Sequence, residues 1–294
     1  WLAERRILIL HSGGDSKRLP QYSAFGKVFA PIPRLLACGR PSTLFDELFV
    51  ALSGLPALMA PGVVIASGDV LLLFDHSQLD LSRPGLTGVA IQADAETATH
   101  HGVFVADDSG RVQAFLHKPG RDQLARQGAL SAAGRAAVDT GIVYISAPLA
   151  ARLAAEAHGD GGWLAAATAS RTALNFYGDF MLPPAPATRR EDYLADESDG
   201  PATPPLRQLR ERLWEVLRGI PFYVGRLDPA KFLHFGTVRE YQRLITYEDE
   251  DVQALGGRRR VSHTVAAGAR LDERACLLQS AVGADTDIEA GATI

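Results

Sequence analysis

Apolar residues first gather in Arg6-Ile7-Leu8-Ile9-Leu10-His11, a short run that stops at Ser12-Gly13-Gly14. A run of this length bounded by glycines predicts a buried parallel strand. A polar loop rich in Gly, Ser and Pro then leads to Lys27. Ser42 and Thr43 precede Leu44, Phe45, Leu48, Phe49 and Leu52, whose spacing predicts a capped amphipathic helix. Val63-Val64-Ile65-Ala66 is the next strand and stops at Gly68-Asp69, and Leu86 to Ile91 is another, after a Pro-Gly turn. Strand, loop, helix, strand predicts an α/β sheet whose ligands gather at the carboxyl ends of its strands.

Gly102-Val103-Phe104-Val105 and Arg111 to Leu116 flank Asp108-Ser109-Gly110 and read as a hairpin. Val138 to Ile145 is strand-like, and Ala147 to Ala157 is helical. Pro183 to Pro205, proline-rich and acidic, is expected to be a flexible loop. Leu206 to Leu217 and Thr237 to Thr246 read as helices on either side of the strand Phe222-Tyr223-Val224. In the tail, aliphatic residues fall at Val265, Leu271, Leu277, Val282, Ile288 and Ile294, and small residues follow four places after each of the first five. A step of five or six with small residues at corners resembles the hexapeptide repeat of a parallel β-helix. The predicted organisation is one domain over residues 1–256 and the beginning of a β-helix over 257–294, with Ile294 opening a new repeat. An unfinished β-helix end favours self-association.

Composition narrows the function classes. Hydrophobic residues make up 47% of the 294 and charged residues 22%, as in a globular domain. A net charge of −4 makes no field that would gather nucleic acid or anionic lipid, so phosphate chemistry must come from a local cluster. Cys38 and Cys276 lack the spacing of a zinc site or a disulfide framework, and no apolar run is long enough to span a membrane. The expectation is a cytoplasmic protein. The chain starts at Trp1 and is read as a fragment.

The chemistry-bearing stretch is Ser12-Gly13-Gly14-Asp15-Ser16-Lys17-Arg18-Leu19-Pro20, with Gly26-Lys27-Val28 beyond it. Paired glycines after a strand let backbone N–H groups approach an anion. Arg18 can grip phosphate oxygens in two-pronged fashion, and Lys27 can act as a point charge. Neither GxxxxGK[ST] nor GxGxxG fits. Asp69, at the end of an apolar strand, suits Mg2+, which takes few carboxylates and many phosphate oxygens. The alternative for Asp69 is a turn cap. His100 and His101, adjacent on an expected extended segment, face opposite ways and carry no metal reading. Trp163 and Trp214 are read as packing residues, and Arg258-Arg259-Arg260 as a solvated face.

Gly13-Gly14-Asp15-Ser16-Lys17-Arg18-Leu19-Pro20, then Gly26-Lys27, then Gly68-Asp69-Val70, resembles the sugar nucleotidyltransferases, and most of all the GDP-fucose pyrophosphorylase family. That family includes stand-alone enzymes and the pyrophosphorylase half of bifunctional fucokinases. Gly110-Arg111-Val112 and His117-Lys118-Pro119 resemble the family's hairpin leading into Glu-Lys-Pro. Asp139-Thr140-Gly141-Ile142 resembles Asn-Thr-Gly-Ile. Leu233-His234-Phe235-Gly236-Thr237, with Glu240-Tyr241, resembles the Gly-Thr segment.

The resemblance implies a Rossmann-like, GT-A-like mixed α/β sheet followed by the start of a left-handed parallel β-helix. It also implies a guanylyltransferase that joins GTP to a sugar 1-phosphate, with L-fucose as the sugar. Gly13, Gly14, Asp15, Ser16 and Arg18 would surround the triphosphate, and Lys27 would meet the α-phosphate. Asp69 would hold Mg2+. Lys118 would meet the sugar phosphate, and Thr140 with Gly141 would line the sugar pocket. His117 replaces the usual Glu and Asp139 the usual Asn, both expected near sugar hydroxyls. His234 stands where many relatives have a metal-completing Asp. Asp179 either supplies that carboxylate or is an ordinary loop aspartate. By the same resemblance, a sugar kinase domain is expected to follow. The implied chemistry is in-line displacement at the α-phosphorus, and a phosphate monoester, already anionic, needs no general base. Rival readings are the same reaction on another base or on mannose, glucose or heptose phosphate, a non-catalytic sugar-nucleotide sensor, and a hexapeptide-repeat acyltransferase.

Overall fold

The computed structural model describes residues 1–11, 19–159, 162–246, 260–261, 264–278 and 280–294. The chain divides into two compact units interleaved in sequence. One comprises Trp1–Ile9, Gly54–Ala66 and Phe74–Ala230; the other comprises Leu10–Ser53, Ser67–Leu73 and Lys231–Ile294. The boundary expected after residue 256 lies outside the described residues.

The first unit is built on a seven-stranded mixed sheet. Its order is Arg6–His11, Gly62–Ser67, Arg135–Ser146, Leu86–Asp94, Phe222–Leu227. Phe222–Leu227 runs parallel to Leu86–Asp94, whereas Gly62–Ser67 and Leu86–Asp94 both run antiparallel to Arg135–Ser146. The expected hairpin forms from Gly102–Ala106 and Val112–His117 and joins the sheet through Arg135–Ser146. Every residue of Arg135–Ser146 except Arg135 is buried, in keeping with its apolar runs Ala136-Ala137-Val138 and Ile142 to Ile145, while Asp139, Thr140 and Ser146 are polar residues buried with them. Phe104 packs against Phe115 and Phe222, and the helices Ala147–His158 and Pro204–Leu217 add Leu149, Leu153, Leu213, Val216 and Leu217 to the same core. Trp163 packs on this core and Trp214 stacks on Tyr193, the packing roles read from the sequence. The Pro-Gly turn before Leu86 needs its glycine. Gly85 has φ 88°, and a Cβ there would lie 2.1 Å from the Pro221 carbonyl oxygen.

Three expectations for this unit fail. The strand Arg6–His11, expected to be buried, lies at the edge of the sheet with Leu8 and Ile9 40% and 45% exposed. The Pro183 to Pro205 segment is not a flexible loop: it buries Pro183, Pro184 and Ala185 and contains the helix Arg190–Ala195. Prolines donate no ladder bonds, and the Arg218 guanidinium instead donates to the carbonyls of Pro183, Ala185, Pro186 and Thr188. His100 is not extended either. It ends the helix Ala95–His100, which starts at Asp94, whose carboxylate accepts from Thr97 N at 2.8 Å.

In the second unit the predicted helix forms as Leu44–Leu52. Thr43 and Asp46 make a reciprocal capping box at its start, and Leu44, Leu48 and Leu52 face inward. Leu44 and Leu48 join Leu19, Val28, Ile32, Leu71, Leu233, Phe235 and Tyr241 in a core. Pro31–Leu35 pairs antiparallel with Pro41–Thr43, and Val70–Phe74 pairs with Ala230–His234. The expected helix near Thr237 is Val238–Thr246. In the tail, Arg260–Val261, Thr264–Val265 and Arg270–Leu271 each pair in parallel with a segment 17 residues later: Leu277–Leu278, Ala281–Val282 and Asp287–Ile288. Leu277, Val282 and Ile288 are buried with Ala275 against Leu271 and Ala292.

Candidate functional site

The expected triphosphate loop, Gly13, Gly14, Asp15, Ser16 and Arg18, lies outside the described residues. The cation beyond it is well placed. Gly26, at φ 85°, turns the chain into the short helical turn Lys27–Phe29, and burial of Val28 fixes its direction. Lys27 is only 12% exposed. Its Nζ donates to Asp69 Oδ2 at 3.4 Å and to the Gly236 carbonyl at 3.3 Å. Asp69 follows the strand Gly62–Ser67. Its backbone carbonyl accepts from Phe235 N at 2.7 Å, and its Oδ1 accepts from Ser67 Oγ at 2.5 Å. Burial pushes the Asp69 carboxyl up, but the Ser67 hydrogen bond and the nearby His234 and Lys27 outweigh it and hold it below the usual range.

His234 adds a third polar group. Its Nε2 lies 3.9 Å from Asp69 Oδ2, and its Nδ1 is 3.0 Å from Glu240 Oε1. Glu240 is anchored in turn, because Thr237 N and Oγ1 donate to its Oε2 at 2.7 and 2.8 Å. Burial raises the Glu240 carboxyl, yet the His234 contact and the Thr237 bonds leave it at about 2. Glu240 therefore fixes which way the imidazole faces. The capping spacing Thr237 to Glu240 is visible in the sequence; its use as a clamp on His234 is not.

Asp69 is a hard oxygen donor, 26% exposed. Among the described residues no group of three or more His, Cys, Asp or Glu is poised around a metal. A single carboxylate nevertheless fits Mg2+, which keeps waters and draws its remaining ligands from substrate phosphates.

Asp179 has a different role from the metal ligand considered above. It is 2% exposed, and both carboxylate oxygens are taken: Oδ1 by Arg210 Nε at 2.7 Å, Oδ2 by Asn175 N at 2.6 Å. Arg210 is 4% exposed and also donates to the carbonyls of Tyr193 and Asp196. This buried pair is structural, tying the turn Phe176–Phe180 to the segment after residue 190.

Asp139, Thr140 and Gly141 sit at an irregularity in the sheet. Between Gly88 and Ala90 the register against Arg135–Ser146 shifts, Gly88 facing Val143 and Ala90 facing Asp139. Thr140 Oγ1 donates to the Val89 carbonyl at 2.8 Å, Gly141 has φ 76°, and Asp139 Oδ1 accepts from Gly141 N at 3.1 Å. Asp139 and Thr140 are 6% and 1% exposed. Burial pushes the Asp139 carboxyl up to about 7 against the backbone bonds of Gly141 and Thr140.

His117 and Lys118 end the hairpin. Lys118 adopts a left-handed backbone, φ 46°, and its Nζ donates to Asp199 Oδ1 at 2.8 Å. His117 Nε2 lies 2.9 Å from Asp199 Oδ2 but out of hydrogen-bond alignment, and Nδ1 has no hydrogen-bond partner. Burial raises the Asp199 carboxyl, but the Lys118 and His117 contacts outweigh it and lower it. Asp199 escaped the sequence reading: it lies 81 residues from Lys118, in an acidic stretch with no local signal.

The profile of the Fucose pyrophosphorylase domain matches residues 1–294. The chain is 26% identical to the fucose-1-phosphate guanylyltransferase of Mus musculus, over 98% of this chain and 53% of that protein. It is 27% identical to the protein of the same name from Homo sapiens, over 85% of this chain and 45% of that protein. It is 28% identical to the bifunctional fucokinase/GDP-fucose pyrophosphorylase of Arabidopsis thaliana, over 88% of this chain and 24% of that protein. The chain spans about half the length, or less, of these relatives.

Proposed function

This chain belongs to the fucose pyrophosphorylase domain family, and from that premise we propose that it transfers GMP from GTP to L-fucose 1-phosphate, giving GDP-L-fucose and pyrophosphate. The observation that carries the reading is the meeting of Lys27, Asp69 and His234 in a chain of this family. Lys27 is the pre-placed cation. Held by Asp69 and the Gly236 carbonyl, it offers positive charge with little reorganisation where charge grows on α-phosphoryl oxygens. Asp69 would hold Mg2+, which supplies neutralisation of phosphate charge when bound. Glu240 keeps the His234 ring facing Asp69. A phosphate oxygen of the sugar 1-phosphate attacks the α-phosphorus and pyrophosphate leaves, so the protein's task is alignment. Arg18 and the glycine loop are assigned to the triphosphate by resemblance, and Lys118 to the sugar phosphate.

The tail is read as the start of a left-handed hexapeptide-repeat β-helix. The three parallel pairings at a 17-residue offset and their shared apolar core support this. Self-association through the tail belongs to the same reading, and sedimentation measures it. No helix among the described residues is long and apolar enough to cross a membrane; a cytoplasmic location is part of the proposal.

The test is a screen of nucleoside triphosphates against sugar 1-phosphates for pyrophosphate release. GTP with L-fucose 1-phosphate should be the preferred pair. Preference for another pair would overturn the assignment of base or sugar, and no release from any pair would overturn the reaction.

A further inference from the structure

We propose that Asp199 is the carboxylate that reads the sugar hydroxyls, an inference that rests on the reaction proposed above and adds a specificity residue to it. The reasoning starts at position 117. His117 stands where the resemblance calls for a Glu beside the sugar, yet its side chain is 8% exposed and both ring nitrogens are closed off from solvent. In this arrangement the imidazole is not a sugar contact. The carboxylate against it, 2.9 Å from Nε2, is Asp199, and that one is 22% exposed. The acid absent from the strand end is thus supplied by a distant segment, at the same place and beside the same lysine.

Three further features suit Asp199 to this work. Its segment is tied down on both sides: Gly200 N donates to the Glu197 carbonyl at 3.1 Å, Ala202 N donates to Glu197 Oε1 at 3.3 Å, and the buried Arg210 donates to the Asp196 carbonyl at 2.6 Å. Space is left for the carboxylate, since a Cβ at Gly178 would lie 3.3 Å from Asp199 Oδ2. It also lines an open cavity of about 740 Å³ together with Arg171, Thr172, Asn175 and Thr203, a size within the range of small-ligand clefts. One carboxylate oxygen faces Lys118, the group assigned to the phosphate. An Asp199 that accepts from a ring hydroxyl while still steering Lys118 would couple recognition of the sugar to placement of its phosphate. His117, behind it, acts as a brace.

The experiment measures steady-state pyrophosphate release and calorimetric binding of L-fucose 1-phosphate for the parent chain, Asp199→Asn and Asp199→Glu, together with melting temperatures. Losing a hydrogen bond to a charged group predicts a rise of roughly 10- to 100-fold in KM and Kd for the sugar phosphate in Asp199→Asn. KM for GTP should hold. The distinguishing readout is a series of singly deoxygenated sugar 1-phosphates. For the one lacking the hydroxyl that Asp199 accepts from, parent and Asp199→Asn should bind alike. An equal penalty across the whole series would show that Asp199 only positions Lys118, and would overturn the inference. So would an Asp199→Asn variant that matches the parent on every substrate. A parent that neither binds a sugar 1-phosphate nor releases pyrophosphate would overturn the proposed reaction, and this inference with it.

Discussion

Asp139 offers a quantitative test of how burial acts in this fold. Its carboxyl is buried beside the sheet irregularity and faces the backbone N–H groups of Gly141 and Thr140. Desolvation moves it from 3.8 to about 7. The folded chain therefore binds this proton more tightly than the unfolded chain. Its contribution to stability is fully present below the unfolded value of about 4 and is lost as pH rises through about 7. At about 1.4 kcal/mol per pKa unit, a shift of about three units amounts to about 4 kcal/mol once the carboxylate is fully ionised, and to about 3 kcal/mol between about pH 5 and about pH 8. Asp139→Asn keeps the shape and removes the charge. Urea unfolding of parent and variant across that interval isolates the effect, because other titrating groups cancel in the difference. The variant should gain on the parent by about 3 kcal/mol from about pH 5 to about pH 8. A difference that stays flat would refute the reasoning and place the Asp139 pKa near that of an exposed carboxylate.

Removing Arg210 by Arg210→Met should strand Asp179 as a buried, unpaired carboxylate and cost about 3–5 kcal/mol, read by urea unfolding at neutral pH; a loss of a few tenths would show that the pair is relieved by solvent. Lys27→Ala should slow pyrophosphate release by roughly 10²–10³ with the melting temperature little changed, and full activity in a folded variant would remove Lys27 from the reaction. Asp69→Asn should raise the magnesium concentration needed for half-maximal rate and weaken direct Mn2+ binding measured by electron paramagnetic resonance. Matching curves for variant and parent would leave Asp69 as a turn cap.

Elements whose apolar period matches their burial were legible from the chain. The helix Leu44–Leu52 announced both its cap, Thr43, and its inward face, and the Gly102–Ala106 and Val112–His117 strands announced the hairpin through Asp108-Ser109-Gly110. The sheet was legible as α/β from its apolar runs, but its mixed directions came only from the family resemblance. Arg135–Ser146 is buried throughout and would read the same whether its neighbours ran parallel or antiparallel, and they run antiparallel. The Pro183 to Pro205 segment was misread for a related reason. Proline marks a break in regular hydrogen bonding, but whether the freed carbonyls meet water or a partner is decided elsewhere in the chain. Here Arg218 is the partner.

The same division governs the candidate site. Lys27 and Asp69 stood out because each follows a local signal, a glycine turn and the end of an apolar strand, and the fold brings them within 3.4 Å. Asp179 carried no such signal in either direction. A carboxylate reads as a ligand or as half of an ion pair depending on what else is buried with it, and Arg210 lies 31 residues away. Asp199 and His117 invert the usual inference from motif to contact. Position 117 was singled out because a family pattern expects an acid there, but its imidazole is enclosed and the accessible acid arrives from residue 199. A pattern fixes where a function is needed along one strand, while solvent access decides which chain segment answers it. For this reason the departures from the pattern at 117, 139 and 234 are best read through the groups that face them: Asp199, the closed backbone around Gly141, and Glu240.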